Sequence, residues 1–360
     1  GINAAMFRAA NTWFGHLRGG LAIASIGGCA MFGAICGSSL ATAATMSQVA
    51  MPEMRKYKYS NALITGTLAA GGTLGILIPP SVVLVIYAIY TEQSIGHLFL
   101  AAVIPGLIAT VGYMIVVSAY VRVSPSSGPA GPRSSWSERG KSFLGIWHVV
   151  LVFAVVVIGI YAGWFSPTEG AAVGAAVMLV LALVIGRMRW PGLRQALLDT
   201  METTALIFLI LLGAEVFNAF LALTKMPGEL ARAVGTLDLP PMVILGAMMI
   251  VYLILGCVME SMAMVLLTIP VFYPIILALD FGLTPDQIGI WFGILALTAV
   301  EMGMITPPFG LNIFVINAMA KDVPMRDTYR GVLPFVVSDV IRTVIIMLVP
   351  ATTLLLPGLM

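Results

Sequence analysis

Apolar residues in this chain fall into long blocks separated by short polar or Gly/Pro-rich breaks. The blocks lie at about 21–36, 41–52, 60–91, 98–121, 143–163, 170–186, 203–222, 241–263, 267–279, 287–320 and 331–356. Several reach the roughly 20 residues that cross a hydrocarbon core of about 30 Å. A backbone in lipid must satisfy its own hydrogen bonds, which leaves helices or a closed barrel. The blocks are too continuous for the short alternating strands of a barrel. The pattern therefore predicts an all-α polytopic membrane protein. Two blocks are interrupted, 60–91 by Pro79-Pro80 and 287–320 by Pro307-Pro308. Blocks 21–36 and 41–52 are short arms around Gly37-Ser38-Ser39, and 241–263 with 267–279 form a second pair with Thr268 near its tip. Residues 2–14 and 229–237 read as short surface helices, each preceding an apolar arm.

Composition strengthens this picture. Hydrophobic residues make up 60% of the 360 positions and charged residues 9%, with a mean hydropathy of +1.03. Soluble domains carry about a quarter charged residues, so this chain lacks the polar surface to stay in water. The net charge of +2 is small and says little about partners; no nucleic-acid partner is expected. Cys29, Cys36 and Cys257 lie in apolar blocks with no disulfide or zinc spacing. His16, His97 and His148 are far apart and form no HExxH pattern. No GK[ST] phosphate loop is present, so no ATP-driven motor is visible. The 22 methionines read as apolar filler rather than a soft-metal path. The chain begins at Gly1 without an initiator Met or a signal sequence, which reads as a truncated or processed N-terminus.

The basic residues set an orientation. The most polar linker, 122–142, is rich in Pro, Gly, Ser and Arg and is read as a cytoplasmic loop between two halves. Tracing outward from it places Arg8, Arg18, Arg55, Lys56, Lys58, Arg122, Arg133, Arg139, Lys141, Arg187, Arg189, Arg194, Lys321, Arg326 and Arg330 on the cytoplasmic side. The other side receives Lys225 and Arg232, and Arg342 falls inside the last span. The bias holds only if 21–52 and 241–279 are re-entrant hairpins that enter and leave on one side.

An internal repeat agrees with that tracing. Gly28-Cys29-Ala30-Met31 pairs with Gly256-Cys257-Val258-Met259, and Gly75 through Pro80 with Gly303 through Pro308, both 228 residues apart. The two hairpins then open to opposite faces, which makes the halves inverted copies. Inverted repeats with interrupted helices in matching positions point to a transport site near the midplane. Each Pro-Pro removes two amide donors and disfavours the α conformation just before it. Freed carbonyls suit Na⁺ and helix N-termini suit an anionic substrate.

Candidate ligands cluster at these breaks. Ser38, Ser39 and Thr42, with Thr45 beyond, place hydroxyls at the tip of the first hairpin, and Ser81 follows the first Pro-Pro. Hydroxyl and backbone oxygens are hard ligands, although Gly and Ser also form helix-packing faces. In the second half, Thr306-Pro307-Pro308-Phe309-Gly310-Leu311-Asn312 is the most specific run, because a buried Asn or Thr at a helix break is costly unless paired. Glu215, Glu260, Glu301, Asp339 and Arg342 fall within spans, where ionisable residues are functional candidates by default. Asp339 and Arg342 are three apart and read as an ion pair. Glu260 and Glu301 are read either as a cation or proton path or as helix contacts, and Glu215 is left unassigned.

Several stretches then resemble the large membrane subunit of the tripartite ATP-independent periplasmic (TRAP) transporters. They are Trp13-Phe14-Gly15, Arg18 through Ala22, Gly37 through Thr42, Ile78-Pro79-Pro80-Ser81, Ile86-Tyr87, Ser94-Ile95-Gly96, Leu98-Phe99, Pro105-Gly106, Gly163 through Glu169 and Ile305 through Asn312. Members of that family often carry Ser where this chain has Cys36, Gly where it has Lys58, and two further helical segments ahead of Gly1. The resemblance implies an elevator-type fold in which hairpins and broken helices move together. It also implies Na⁺-coupled uptake of an organic acid across the bacterial inner membrane. The implied partners are a small four-helix membrane subunit and a periplasmic substrate-binding protein. Carried onto this chain, Ser38, Ser39, Thr42, Pro308, Gly310 and Asn312 would hold Na⁺, and Ser39, Ser81, Thr306 and Asn312 would meet the substrate. The expected organisation is a first inverted repeat at 1–121, the cytoplasmic linker 122–142, connecting and scaffold helices at 143–222, and a second inverted repeat at 223–360. The competing reading is a stand-alone Na⁺ or H⁺ symporter without a binding protein. An intramembrane enzyme is disfavoured because every Lys lies in a loop and no catalytic dyad or zinc motif is present, and paired hairpins favour alternating access over a passive channel.

Overall fold

The computed structural model describes residues 2–186, 188–236 and 239–359. Arg187 of the basic tally and Leu237 at the end of the second expected surface helix lie outside them, as does the side chain of His148. The described residues form α-helices, two short 3₁₀ turns and no strand. The helices are α1 (Ile2–Phe14), α2 (Gly20–Cys36), α3 (Ser39–Lys56), α4 (Asn61–Leu77), α5 (Val82–Thr91), α6 (Ile95–Val123), α7 (Trp136–Leu144), α8 (Trp147–Tyr161) and α9 (Pro167–Val184). They continue with α10 (Trp190–Thr224), α11 (Met226–Gly235), α12 (Pro241–Gly256), α13 (Ser261–Leu277), α14 (Pro285–Met304), α15 (Leu311–Met319), α16 (Met325–Leu348) and α17 (Ala351–Leu354). By length and composition, α6, α9, α10, α14 and α16 can each cross a bilayer, and the pair α4–α5, bent by 41°, makes a sixth span.

Pairs of helices and breaks recur in both halves. The arms α2 and α3 turn back at Gly37, which takes φ +63°, a left-handed conformation that costs Gly little. Ser38 then caps α3 by accepting the Ala41 amide. The pair α4–α5 breaks at Pro79-Pro80, and Ser81 caps α5 by accepting the Leu84 amide. In the second half α12 and α13 form the hairpin, and α14 and α15 flank Pro307-Pro308. Both Pro-Pro bonds are cis.

Four expectations change. The second hairpin turns at Cys257–Glu260, so Thr268 sits two turns inside α13, where its hydroxyl bonds Tyr252 and the Met264 carbonyl. Glu260 sets that turn, because its carboxylate accepts the amides of Met262 and Ala263 and so starts the helix there. The Gly28/Gly256 pairing is not structural, since Gly28 is mid-helix in α2 while Gly256 ends α12. Gly33 is the counterpart of Gly256: a Cβ on Gly33 would lie 2.7 Å from Gly75 Cα, and one on Gly256 3.2 Å from Gly303 Cα. The linker 122–142 is ordered and partly helical. It ends α6, contributes α7, and binds backbone to backbone through Gly19 to Gly128, Ser60 to Ser127 and Gly131 to Gly15. The span expected at 203–222 begins at Trp190, because the intervening polar residues (Arg194, Gln195, Asp199 and Glu202) are compatible with a helix that has Pro191 in its first turn.

The main apolar core is built from α2–α6 and α12–α16, joined by Phe7 and Ala10 of α1. α14 is buried along almost its entire length. By contrast α9 buries only Gly170, and α10 only Ala214 and Leu221. Leu206, Phe208, Leu209, Leu212 and Val216 of α10 face outward, as lipid-facing or partner-facing positions do. A small cluster of Ile86, Ala214, Met262 and Leu266 ties α10 to α5 and α13.

Candidate functional site

Each hairpin tip is seated on the break of its own half. A Cβ on Gly37 would stand 3.2 Å from the Pro80 carbonyl and 3.4 Å from the Val82 amide. In the second half the amide of Gly310 donates to the Cys257 carbonyl over 3.1 Å. Four helix ends therefore meet at each tip: two C-termini, whose last carbonyls lie outside the helical ladder, and two N-termini, whose first amides do too. Ser38, Ser81 and Glu260 cap those amides in part. The carbonyl ends favour cations and the amide ends favour anions. Close packing makes this possible. A Cβ on Gly75 would lie 2.5 Å from both the Ser38 carbonyl and Thr42 Oγ1, so only glycine lets α3 approach α4 there.

Beside the hairpin tips, one buried side chain joins the two halves. Asn312, in the first turn of α15, is fully buried. Its Oδ1 accepts the Ser39 hydroxyl at 3.0 Å, and its Nδ2 donates to the Ala69 carbonyl at 3.1 Å. Ser39 Oγ also lies 3.5 Å from the Met304 sulfur. One turn further along α3, Thr42 is fully buried; the Cys36 thiol lies beside it, but its Oγ1 has no partner at hydrogen-bond geometry. An unpaired buried hydroxyl is costly, and an unpaired oxygen beside the Ser38 carbonyl suits a hard cation. The α3–α15 pairing is closed at its far end by Arg55 and Asp322, 2.7 Å apart. That guanidinium holds the Asp322 carboxyl below the usual range.

The sequence-derived candidates separate into three groups. Ser39, Thr42 and Asn312 gather between α3, α4 and α15, so residues assigned to two regions in fact adjoin. Ser38 and Ser81 serve as helix caps at the first tip, with Ser81 buried and Ser38 half-buried. Thr306, Pro308 and Gly310 stand at the second tip. There the Thr306 hydroxyl donates to the Met302 carbonyl, Tyr329 donates to the Pro308 carbonyl, and Gly310 takes φ +74°. Met304 and the Ala69 carbonyl were missed. Nothing in an apolar helix marks which backbone oxygen a distant side chain will reach. Glu260 is satisfied within its own turn, with Ser261 donating to its Oε1 at 2.8 Å. Glu215 accepts the Tyr90 hydroxyl at 2.6 Å. Among the described residues no group of three or more His, Cys, Asp or Glu side chains could hold a metal.

Comparison with known proteins places this geometry. The family model for the DctM component of the tripartite ATP-independent periplasmic transporter matches residues 1–352. The C4-dicarboxylate TRAP transporter large permease protein DctM of Pseudomonas aeruginosa is 38% identical over 351 residues, covering 97% of this chain and 80% of that protein. The sialic acid TRAP transporter large permease protein SiaM of Vibrio cholerae is 34% identical over 360 residues, covering 100% and 82%. The ectoine/5-hydroxyectoine TRAP transporter large permease protein UehC of Ruegeria pomeroyi is 32% identical and covers 90% and 74%. In fold, the chain is similar to the crystal structure of the Alcanivorax borkumensis YdaH transporter. That match has a TM-score of 0.64 at 14% identity and covers 97% of this chain and 84% of the other. With paired hairpins closing on matched helix breaks, and a family match along almost its whole length, this chain belongs to the DctM, or large permease, component family of the TRAP transporters.

Proposed function

We propose that this permease component carries an organic acid into the bacterial cell by Na⁺-coupled transport across the inner membrane. The acid is delivered by a periplasmic binding protein, and a small membrane subunit completes the complex. The observation that carries the reading is the buried Ser39–Asn312 contact beside the unpartnered Thr42 hydroxyl. It joins a hairpin of one half to a broken helix of the other. Na⁺ entering as co-substrate would find oxygen at Thr42, at the Ser38 carbonyl and at Ser39. An anionic substrate would find helix N-termini and the capping hydroxyl of Ser81 at the first tip. The relatives named for C4-dicarboxylates and sialic acid support an organic acid as the substrate class.

The main core unites α2–α6 with α12–α16 and leaves α8–α10 outside it. This division supports an elevator in which that body moves against the less buried helices. The bias of basic residues supports hairpins that open to opposite faces.

The test is uptake into liposomes holding the full permease and its small subunit, with C4-dicarboxylates and sialic acid as probes. Uptake should require both an inward Na⁺ gradient and the cognate binding protein. Uptake with Na⁺ but no binding protein would instead show a stand-alone symporter on the same fold.

A further inference from the structure

Three ionisable side chains are buried together outside the hairpin tips, and the site above uses none of them. Glu301 lies in the last turn of α14, and Asp339 and Arg342 lie on one face of α16, all at most 2% exposed. Arg342 Nη2 stands 3.2 Å from Glu301 Oε2 and 3.2 Å from Asp339 Oδ1. Tyr113 of α6 donates to Asp339 Oδ2 at 2.8 Å, and its oxygen is 3.1 Å from Thr73 Oγ1 of α4. Four helices thus converge on one polar cluster.

The charges do not balance. A guanidinium keeps its proton in a protein, so two ionised carboxylates would leave one buried negative charge unmatched. Among the described residues no other cation is paired with the cluster. α4 has no ionisable residue. Tyr87 and Tyr90 of α5 are committed to the Gly289 carbonyl and Glu215. Tyr252 of α12 accepts from Thr268, and Tyr273 of α13 accepts from Gln93. A buried charge without a counter-charge takes up a proton rather than persist.

The two carboxylates are not equivalent. Asp339 accepts the Tyr113 hydroxyl at Oδ2 and has the guanidinium 3.2 Å from Oδ1, an ion-pair contact without hydrogen-bond geometry. Glu301 accepts the guanidinium at Oε2 and also faces the Leu77 backbone amide, but it has no second side-chain donor, and its Oε1 has no hydrogen-bond partner. An unpartnered oxygen is far less costly on a neutral carboxyl than on a carboxylate. A metal cation fits poorly, because it would lie against Arg342 with few further oxygens to complete its shell.

We propose that Glu301 is a proton-binding residue, neutral beside an ionised Asp339–Arg342 pair, so that the meeting point of α4, α6, α14 and α16 carries no net charge. This protonation does not depend on the transport reading, and its test needs no uptake.

The full chain in lipid nanodiscs at pH 7 should show the infrared carbonyl stretch of a protonated carboxyl. Exposed carboxylates, ionised at that pH, do not contribute to this band. It should shift when glutamate carries ¹³C and stay in place when aspartate does, and Glu301→Gln should remove it. The proposal is overturned if no protonated-carboxyl band exists at pH 7, if only the aspartate label shifts it, or if it survives in E301Q. The isotope labels keep the question decidable should the variant fail to fold.

Discussion

Asn312 joins the two halves beside the hairpin tips through two hydrogen bonds. Replacing it with Ala leaves the Ser39 hydroxyl and the Ala69 carbonyl unpaired in a dry site. That cost is about 1–3 kcal/mol, so the thermal midpoint of Asn312→Ala should fall measurably. Ser39→Ala removes the donor but leaves a smaller gap, and its midpoint should fall less. If the ion reading is correct, both variants should need at least about tenfold more Na⁺ for half-maximal uptake, and an unchanged Na⁺ dependence would remove Ser39 and Asn312 from the ion site. Thr42 differs, because its hydroxyl has no oxygen or nitrogen partner to lose. The run from Thr306 to Asn312 was conspicuous in the sequence, since polar residues at a helix break in an apolar segment are rare and costly. The partners of Asn312 were not legible. Ser39 is 273 residues away, and the Ala69 carbonyl looks like any other carbonyl of an apolar helix until α15 is placed beside it.

At the scale of elements, each hairpin is held to its break by glycine contact and by a cap. A Cβ on Gly75 would meet the Ser38 carbonyl and Thr42 Oγ1 at 2.5 Å, and one on Gly303 would meet Gly256 backbone at 2.6 Å. Both distances are below any ordinary contact, and in each case the obstacle includes backbone, which cannot swing aside. Gly75→Ala and Gly303→Ala should each push a hairpin off its break. Faster hydrogen exchange at that hairpin tip would check this, with the other tip unaffected. The caps differ: Ser38 serves α3, whereas Glu260 serves α13 with two amides. Glu260→Ala should therefore cost about 1 kcal/mol and fray the first turn of α13, read as amide exchange at Met262 and Ala263. The place of the second turn was misjudged from the sequence because α12 and α13 are apolar on both sides of it. Only the capping geometry of Glu260 marks where one arm ends.

Across the whole molecule, one core takes in both halves while α8–α10 remain largely exposed. Burial inside a membrane protein is gained by packing rather than by escape from water. Helices dense in small residues, such as α2 and α4, therefore gather at the centre, and leucine- and phenylalanine-rich α10 is left for lipid or for a partner. The ordered linker also acts at this scale. Its backbone bonds from Gly128 and Ser127 hold the starts of α2 and α4, and the bond from Gly131 holds the turn after α1, a role that its polar, proline-rich composition concealed.

Helical class, the count of apolar segments and the position of both breaks follow from the sequence, because they rest on local rules. Lipid demands internally satisfied backbone, and two consecutive prolines cannot continue a helix. The repeat was also visible, although one of its two anchors was a coincidence of similar apolar residues that no local rule could reject. Which hydroxyl meets which amide, which carboxylate lies beside Arg342 and which glycines touch are fixed by packing between segments hundreds of residues apart. Side chains of the same type in equivalent apolar helices are indistinguishable until that packing brings some of them into contact and leaves others, such as Thr42 Oγ1 and Glu301 Oε1, without a partner.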